Sequence, residues 1–590
     1  LFALAESAES GPGWWTELRA FSTLFRTSGP FLLCVVIYLG QAIVGYWPVL
    51  QYPTTTLPCG KPTVGVVALF NAWTIWWNAD RVEHGFAGYW DAPVFWPEKG
   101  CLALSEPQPL TLLVAPVVWL WGPIVAYHTY FLMNTWLNGV FALLLARRLG
   151  MNWWIAGWCG ALVVWLPLIY QQPELLQYVP LWPILWTWDI CFRILRSPAI
   201  SRVIELGIAI IVTFAANLHT GVFSVVLLAA GGLTLALWDA RKRLLFLYSG
   251  VGLGLLAATP ILIPVMTVLS RHGSHRPLET VAALSARPSD WLQTPPHALE
   301  GRVFGQQNSR RVFNPGWLRA LLAGVAIARI FAKRQDLDIR QASLLLTTIA
   351  CLAVCGSFGP NLKIFAFSPW SCLHQSVSAV SWIRSPYRFA YVAQLAILIL
   401  SGLGLNFCVY GLLAAKKTNV VNPGVYRVPA SVLFAGFVLV EVLPAQPSLV
   451  LTPNLKNPPD WVQYLSRNRE MNGPILILDF PSGKQVIEYD RTVRAMLWQS
   501  QFHLPLVNGY SGFFPENWVK LSHVWRTSPY SREAFELLRR DGVAILIRPP
   551  GFPPPPDGDL SPFQLKCLTT TSSGVTVYRL TWDSNSRPIR

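Results

Sequence analysis

Residues 389–414 read FAYVAQLAILILSGLGLNFCVYGLLA, a run without a charge, preceded by Arg384 and Arg388 and followed by Lys416-Lys417. An α-helix rises about 1.5 Å per residue and the hydrocarbon core of a bilayer is about 30 Å thick, so about 20 such residues cross it. The stretch is therefore predicted to span a membrane, with cationic residues at both ends.

Working outward, comparable apolar runs occupy 31–50, 125–146, 153–170, 176–195, 203–216, 220–238, 244–269, 317–332, 342–358 and 429–443. Region 109–122 reads as a re-entrant or short helix ahead of 125–146. The expected fold class is an α-helical polytopic membrane protein of about 11–13 transmembrane helices. Composition agrees: 590 residues that are 53% hydrophobic and only 13% charged leave too little charged surface for a soluble chain of this size. Tryptophans gather near the ends of the runs (Trp14, Trp15, Trp153, Trp154, Trp182, Trp317), where amphipathic rings settle at headgroup level. The first run lacks a small-residue cleavage site after it and reads as a retained anchor.

A net charge of +16 would point to nucleic acid in a soluble protein. Here the basic residues fall in short turns: Arg147-Arg148, Arg193 to Arg202, Arg241-Lys242-Arg243, Lys333-Arg334 to Arg340, and Lys416-Lys417. The positive-inside rule places these turns in the cytoplasm. No nucleic-acid partner is expected. Residues 1–29 are then a cytoplasmic segment, and 30–447 form the membrane domain with outer loops at 51–108, 270–316 and 359–388. Residues 448–590 form an external soluble domain.

That last part changes character after Pro444: charges return and apolar runs shorten. Residues 474–479 (PILILD) and 542–547 (GVAILI) read as buried strands, and 531–540 as an amphipathic helix. A small α/β domain is expected. Of ten cysteines, Cys34, Cys159, Cys191, Cys351, Cys355 and Cys408 fall within spans and pack as small apolar groups. Cys59 and Cys101 share the first outer loop and form either a disulfide or two unpaired thiols.

The first outer loop carries Asp80, Glu83, Asp91, Glu98 and Glu106 among aromatics, where a raised pKa would suit a general base; the alternative is a solvated loop. Arg384 and Arg388 precede a span on the outer side, where they either hold a lipid phosphate or anchor the helix end among headgroups. Arg271, His272, His275 and Arg276 form a second basic cluster with the same two readings. Asn217 and His219 interrupt an apolar stretch, as a surface turn or as functional groups at membrane depth. Asp189 and Arg193 read as a structural i, i+4 pair. The glycine pairs Gly252/Gly254 and Gly402/Gly404 lie within spans and read as sites of close helix packing. No Walker sequence or nucleophile elbow is present, so neither ATP hydrolysis nor serine hydrolysis is indicated.

The stretches Asp91 to Pro97, Ser105-Glu106, Ser285 to Trp291, Phe313 to Gly316, Ile383 to Phe389 and Asn508 to Phe513, in this layout of spans and loops, resemble the GT-C superfamily of membrane glycosyltransferases, and within it a poorly characterised bacterial group. The resemblance covers nearly the whole chain. It implies transfer of a sugar from a polyprenyl-phosphate donor to a glycan, lipid or protein acceptor at the outer face of a bacterial cytoplasmic membrane, with the C-terminal domain on the periplasmic side. It also implies that an acid of the first outer loop serves as base or as ligand of a divalent cation. Asp91 is the first choice, and Asp80 or Glu106 the second; the pair of adjacent acids familiar in the superfamily is absent. Arg384, Arg388, Arg271 and Arg276 become candidates for the donor phosphate. In the C-terminal domain, Tyr510, Asn508 and His503 are candidates for the acceptor, because aromatic faces stack on sugar rings while amides bond hydroxyls. The segment around Tyr510 and Phe513 is expected to face the membrane domain, since so many exposed aromatics would form a large apolar patch. Two other readings remain: a flippase of a lipid-linked glycan, and a non-catalytic glycan-binding or assembly protein of the same architecture.

Overall fold

Helix Gly29–Leu50 shows how the helical part is organised: it buries Phe31, Tyr38, Tyr46 and Val49 while Leu32, Leu33, Val36 and Val44 are exposed. A helix with an apolar outer face suits lipid, because only there is contiguous exposed apolar surface unpenalised. The computed structural model describes residues 29–60, 64–236, 241–294, 311–331, 337–415, 444–468, 472–556, 560 and 562–582. Among them six helices are long and apolar enough to cross a membrane: Gly29–Leu50, Pro123–Arg148, Trp153–Gln171, Leu218–Leu235, Asp338–Ser357 and Pro386–Val409. A seventh span forms if Arg243–Ala257 and Thr259–Arg271, bent by 61°, are one. The expected run 429–443 lies outside the described residues.

Three other expected spans are helices of only 15, 17 and 13 residues. The run 176–195 opens in a single 3-10 turn, Leu176–Tyr178, and becomes α-helical at Trp182–Arg196. Asn138, buried on Pro123–Arg148, repairs this break: its Oδ1 accepts from the amides of Leu181 (2.8 Å) and Trp182 (2.7 Å), and its Nδ2 donates to the Val179 carbonyl (2.7 Å). Irregular backbone at membrane depth persists where protein groups satisfy it in this way. Helix Ile200–Ala216 stops at Asn217, whose backbone is extended, and Trp317–Arg329 begins after Gly316. Residues 109–121 form a 3-10 turn, Pro109–Val114, and a short helix, Ala115–Trp121, which matches the short-helix expectation for this region.

Close helix packing falls largely where the glycine pairs place it. A Cβ on Gly404 would lie 1.8 Å from the Leu322 carbonyl oxygen, and one on Gly254 2.6 Å from Ile210; Gly252 has open space instead. At the end of the bundle carrying the basic turns, Asp189 binds Arg148 (2.7 Å) and Arg193 (3.1 Å), and Arg193 also meets Glu205, so the expected pair belongs to a larger ion network.

The C-terminal part holds a four-stranded mixed sheet built from β3 (Ile475–Ile477), β4 (Ile545–Arg548), β5 (Phe563–Thr570) and β6 (Thr576–Trp582), in the order β3-β4-β6-β5. β3 and β4 are parallel and almost wholly buried, as expected of short isoleucine-rich strands covered on both faces. Helix Arg532–Arg540 is capped by Ser531, whose hydroxyl accepts from the Ala534 amide at 3.2 Å.

Two backbone ties join this part to the first loop. β1 (Thr56–Cys59) pairs antiparallel with β2 (Ser448–Leu451), from Thr56 opposite Leu451 to Cys59 opposite Ser448. Leu506 donates to the Pro93 carbonyl (2.9 Å), and Trp96 donates to Leu506 (3.0 Å). Cys59 and Cys101 do not bridge. Each is a free, buried thiol, donating to the carbonyls of Val64 (3.4 Å) and Glu98 (3.3 Å) respectively. Burial pushes the Cys59 thiol up to about 11 and the Cys101 thiol up to about 12, so both stay protonated.

Candidate functional site

The short loop Ser105–Gln108 is held in place by helix Val66–Glu83. Asn78 Nδ2 donates to the carbonyls of Pro107 (2.9 Å) and Gln108 (3.1 Å) and to the Thr111 hydroxyl (2.7 Å). One helical face also offers Asn71, whose Oδ1 accepts from Gln108 Nε2 at 2.7 Å. These bonds keep Gln108 in the left-handed region at φ 48°, a conformation that persists only where its surroundings hold it. Glu106 is thereby turned inward and is only 8% exposed.

Its carboxylate meets the break after Ala216. One oxygen is hydrogen-bonded to His219 Nδ1, and the other accepts from the Leu218 amide at 3.0 Å. Asn217 caps the same turn, its Oδ1 accepting from the amides of His219 (2.7 Å) and Thr220 (3.2 Å). The carboxylate therefore sits on the N-terminus of helix Leu218–Ala236, where unsatisfied amides and the helix dipole favour negative charge. Burial alone would raise the Glu106 carboxyl; His219, its hydrogen bond, the Leu218 amide and Arg388 outweigh burial and hold it below the usual carboxylate range. Asn217 and His219 thus form a turn, with Asn217 buried and His219 half-buried, and not an exposed surface turn.

Glu106 and His219 line a cavity of about 340 Å³ whose walls are otherwise largely apolar, including Phe223, Val265, Met266 and Ile383. Three cations complete it: Arg276, Arg384 and Arg388. Arg388 lies over the Tyr178 ring at 4.8 Å, and its Nε is buried without a hydrogen-bond partner. Arg276 lies 3.6 Å over the Phe513 ring and donates to the Gly512 carbonyl, while its Nε too is buried without a partner. Burial, reinforced by Arg384 and Arg388, pushes the Arg276 guanidinium down to about 10. Such crowding of like charge is relieved by a bound anion.

No known protein family matches the chain, and no curated protein matches it. Among solved structures it is similar to the Archaeoglobus fulgidus oligosaccharyltransferase in complex with Zn and sulfate, at 12% identity and a TM-score of 0.50, over 88% of this chain and 68% of that one. The chain shares its fold with that membrane protein. ArnT from Cupriavidus metallidurans bound to undecaprenyl phosphate matches over 94% of this chain and 98% of its own, at 12% identity and a TM-score of 0.47. The arabinofuranosyltransferase AftD from Mycobacteria matches over 94% of this chain and 40% of its own, at 10% identity and a TM-score of 0.48.

Within this fold the expected site residues separate. Glu106, Arg276, Arg384, Arg388 and Tyr510 converge on the cavity. Asp91 lies outside it, exposed at the rim of an apolar recess formed with Phe86, Trp90, Leu112 and Ile261; it accepts from the Gly100 amide (2.8 Å) and faces Lys99 (3.7 Å). Asp80 is engaged by Arg81 and by His84 on its own helix. Arg271 is exposed and does not line the cavity. His503, also exposed, terminates helix Asp490–Phe502 in a left-handed conformation, at the φ of 53° common at helix C-termini. Asn508 is fully buried and ties β3 in place, accepting from the Ile477 amide (2.7 Å) and donating to its carbonyl (2.9 Å). Tyr510 and Phe513 face the helical part as expected: Phe513 donates to the Leu104 carbonyl at 3.0 Å, and Tyr510 meets Phe70 edge-on at 5.5 Å.

Sequence reasoning did not join His219 to Glu106, because 113 positions separate them and neither carries a local motif. For a divalent cation, no group of three or more His, Cys, Asp or Glu among the described residues is arranged to hold one. Three arginines beside Glu106 make this cavity a poor home for a metal cation and a good one for an anion.

Proposed function

We infer that the chain is a membrane glycosyltransferase that moves a sugar from a polyprenyl-phosphate carrier to a hydroxyl of a glycan, lipid or protein acceptor at the outer face of a bacterial cytoplasmic membrane. The observation that carries this reading is the cavity itself, which one carboxylate, bonded to His219, shares with three arginines between apolar walls. Charge there suits a phosphate, and the walls suit an isoprenoid chain. The C-terminal domain, residues 448–590, closes the cavity with Tyr510 and Phe513 and lies on the outer side with the acceptor.

In the reaction the acceptor oxygen bonds to the anomeric carbon as the bond from that carbon to the phosphate oxygen breaks. The Glu106 carboxylate, held in place by His219, orients the acceptor hydroxyl and takes its proton, although its carboxyl is held below the usual range and not above it as expected of a general base in this loop. The bonding electrons remain on the phosphate, where Arg276, Arg384 and Arg388 offset the developing charge. Attack from the face opposite the phosphate inverts the anomeric centre. Glu106 takes the role that the resemblance offered first to Asp91, because Glu106 alone of the two shares a cavity with the arginines.

The test is turnover by the purified protein in lipid nanodiscs with a radiolabelled polyprenyl-phosphate sugar and a membrane-extract acceptor. Label leaving the lipid carrier for the acceptor supports the reading. Intact donor after incubation across a panel of sugars, together with no donor binding, overturns it.

A further inference from the structure

Between the spans that end at Ser357 and begin at Pro386 the chain makes a tight hairpin, Ile364 and Phe367 each donating to the other's carbonyl (2.9 and 3.1 Å). Its tip is apolar and unpartnered: Phe365 is 100% exposed, Ile364 54% and Phe367 58%. Phe365 is moreover held at φ 56°, a left-handed conformation uncommon for a non-glycine residue. Three bulky apolar side chains fixed outward in water would be an aggregation liability.

The location says what covers them. The Ser368 hydroxyl donates to the Pro360 carbonyl at 3.5 Å, so the hairpin's base lies one short turn beyond the end of helix Asp338–Ser357. Strands rise about 3.4 Å per residue, so a tip about three residues from its base reaches no more than about 10 Å beyond that base. The headgroup layer at the end of a span lies within such a reach. Leu373 and Val377 after the hairpin and Leu352 of the preceding span are exposed as well. Lys363, exposed at the base, suits the phosphate layer.

We propose that the Ile364–Phe367 hairpin is a lipid-inserted anchor, burying Phe365 in the outer leaflet and so fixing the segment that walls the cavity. That segment is held from the other side by Arg276, whose amide donates to the Ser381 carbonyl (3.1 Å) and whose carbonyl faces His374 Nε2 (3.0 Å). Val380, Trp382, Ile383 and Arg384, which line the cavity, follow directly. The proposal depends on the chain being membrane-embedded and is independent of its catalytic activity.

The experiment replaces Phe365 by the photo-crosslinking analogue p-benzoylphenylalanine in the full chain in nanodiscs, with the same replacement at Val519, a 54% exposed position of helix Glu516–Thr527, as reference. Phospholipid adducts after irradiation at 365 and none at 519 are expected. Adducts at 365 with a second copy of the chain or another protein, or no adduct at all, would overturn the proposal. Because the analogue is aromatic and the site exposed, folding is retained, and a normal elution profile in size-exclusion chromatography verifies it.

Discussion

Glu106 and His219 are hydrogen-bonded at the N-terminus of helix Leu218–Ala236, with the Leu218 amide bonded to the same carboxylate at 3.0 Å. The pair links the first outer loop to a break between two apolar helices. It places the Glu106 carboxylate near Arg388 in a largely apolar cavity.

The depressed Glu106 pKa gives stability a defined pH dependence. A carboxyl lowered in the folded state contributes fully above its unfolded value, about 4.3, and loses that contribution as pH falls through the folded value. Comparing thermal unfolding of wild type and Glu106→Gln across pH is expected to show a gap at pH 7 that closes only below about pH 4. A gap independent of pH would mean that the carboxylate's charge is not what holds the loop.

Arg388 is expected to resist conservative replacement. Lysine keeps the charge but loses the planar fork and the stacking on Tyr178, so Arg388→Lys should lower kcat/KM by about 10²-fold, within the range for removing one donor to a developing anion. Arg271→Ala, outside the cavity, should leave it near wild type. Steady-state kinetics against donor concentration check both.

Gly512 marks the seam between the two parts of the chain. A Cβ there would lie 2.9 Å from the Leu104 carbonyl oxygen, while the Gly512 carbonyl receives Arg276. Gly512→Val should therefore loosen the loop around Tyr510 and Phe513, raising protease cleavage near it and lowering turnover, with strands β3 and β4 retained. Unchanged cleavage would show that the seam tolerates a side chain.

How legible this was in the sequence differs by feature. The apolar run at 389–414 and the strands at 475–477 and 545–548 declared themselves because burial on all sides writes continuous hydrophobicity. The broken helices did not, since Leu176–Trp182 is as apolar as the helix it interrupts and the repair comes from distant Asn138. The pairing of β1 with β2 joins residue 56 to residue 451, a register that no local pattern encodes. Among the acids of the first loop, composition could not rank Glu106 above Asp91: what separates them is that Asn71 and Asn78 turn one inward, while Gly100 and Lys99 hold the other at the surface.

At the opposite end of the bundle, Asp189→Asn should be a pure stability variant. It removes one of the two carboxylates that meet Arg193, which keeps Glu205, and the partner of the part-exposed Arg148, so a loss of about 1 kcal/mol is expected. A lowered melting temperature with kcat/KM unchanged at a temperature well below it is expected. A catalytic defect in protein that is still folded would show coupling between this network and the cavity.

The central claim is that Glu106, and not Asp91, serves the transfer. The direct measurement is single-turnover transfer from a radiolabelled polyprenyl-phosphate sugar by wild type, Glu106→Gln and Asp91→Ala in the same nanodiscs, with donor binding measured in parallel. Loss of about 10²–10⁴-fold in rate for Glu106→Gln with donor still bound, beside near wild-type transfer by Asp91→Ala, is the predicted result. Full transfer by Glu106→Gln, or its loss in Asp91→Ala with donor still bound, would contradict the account.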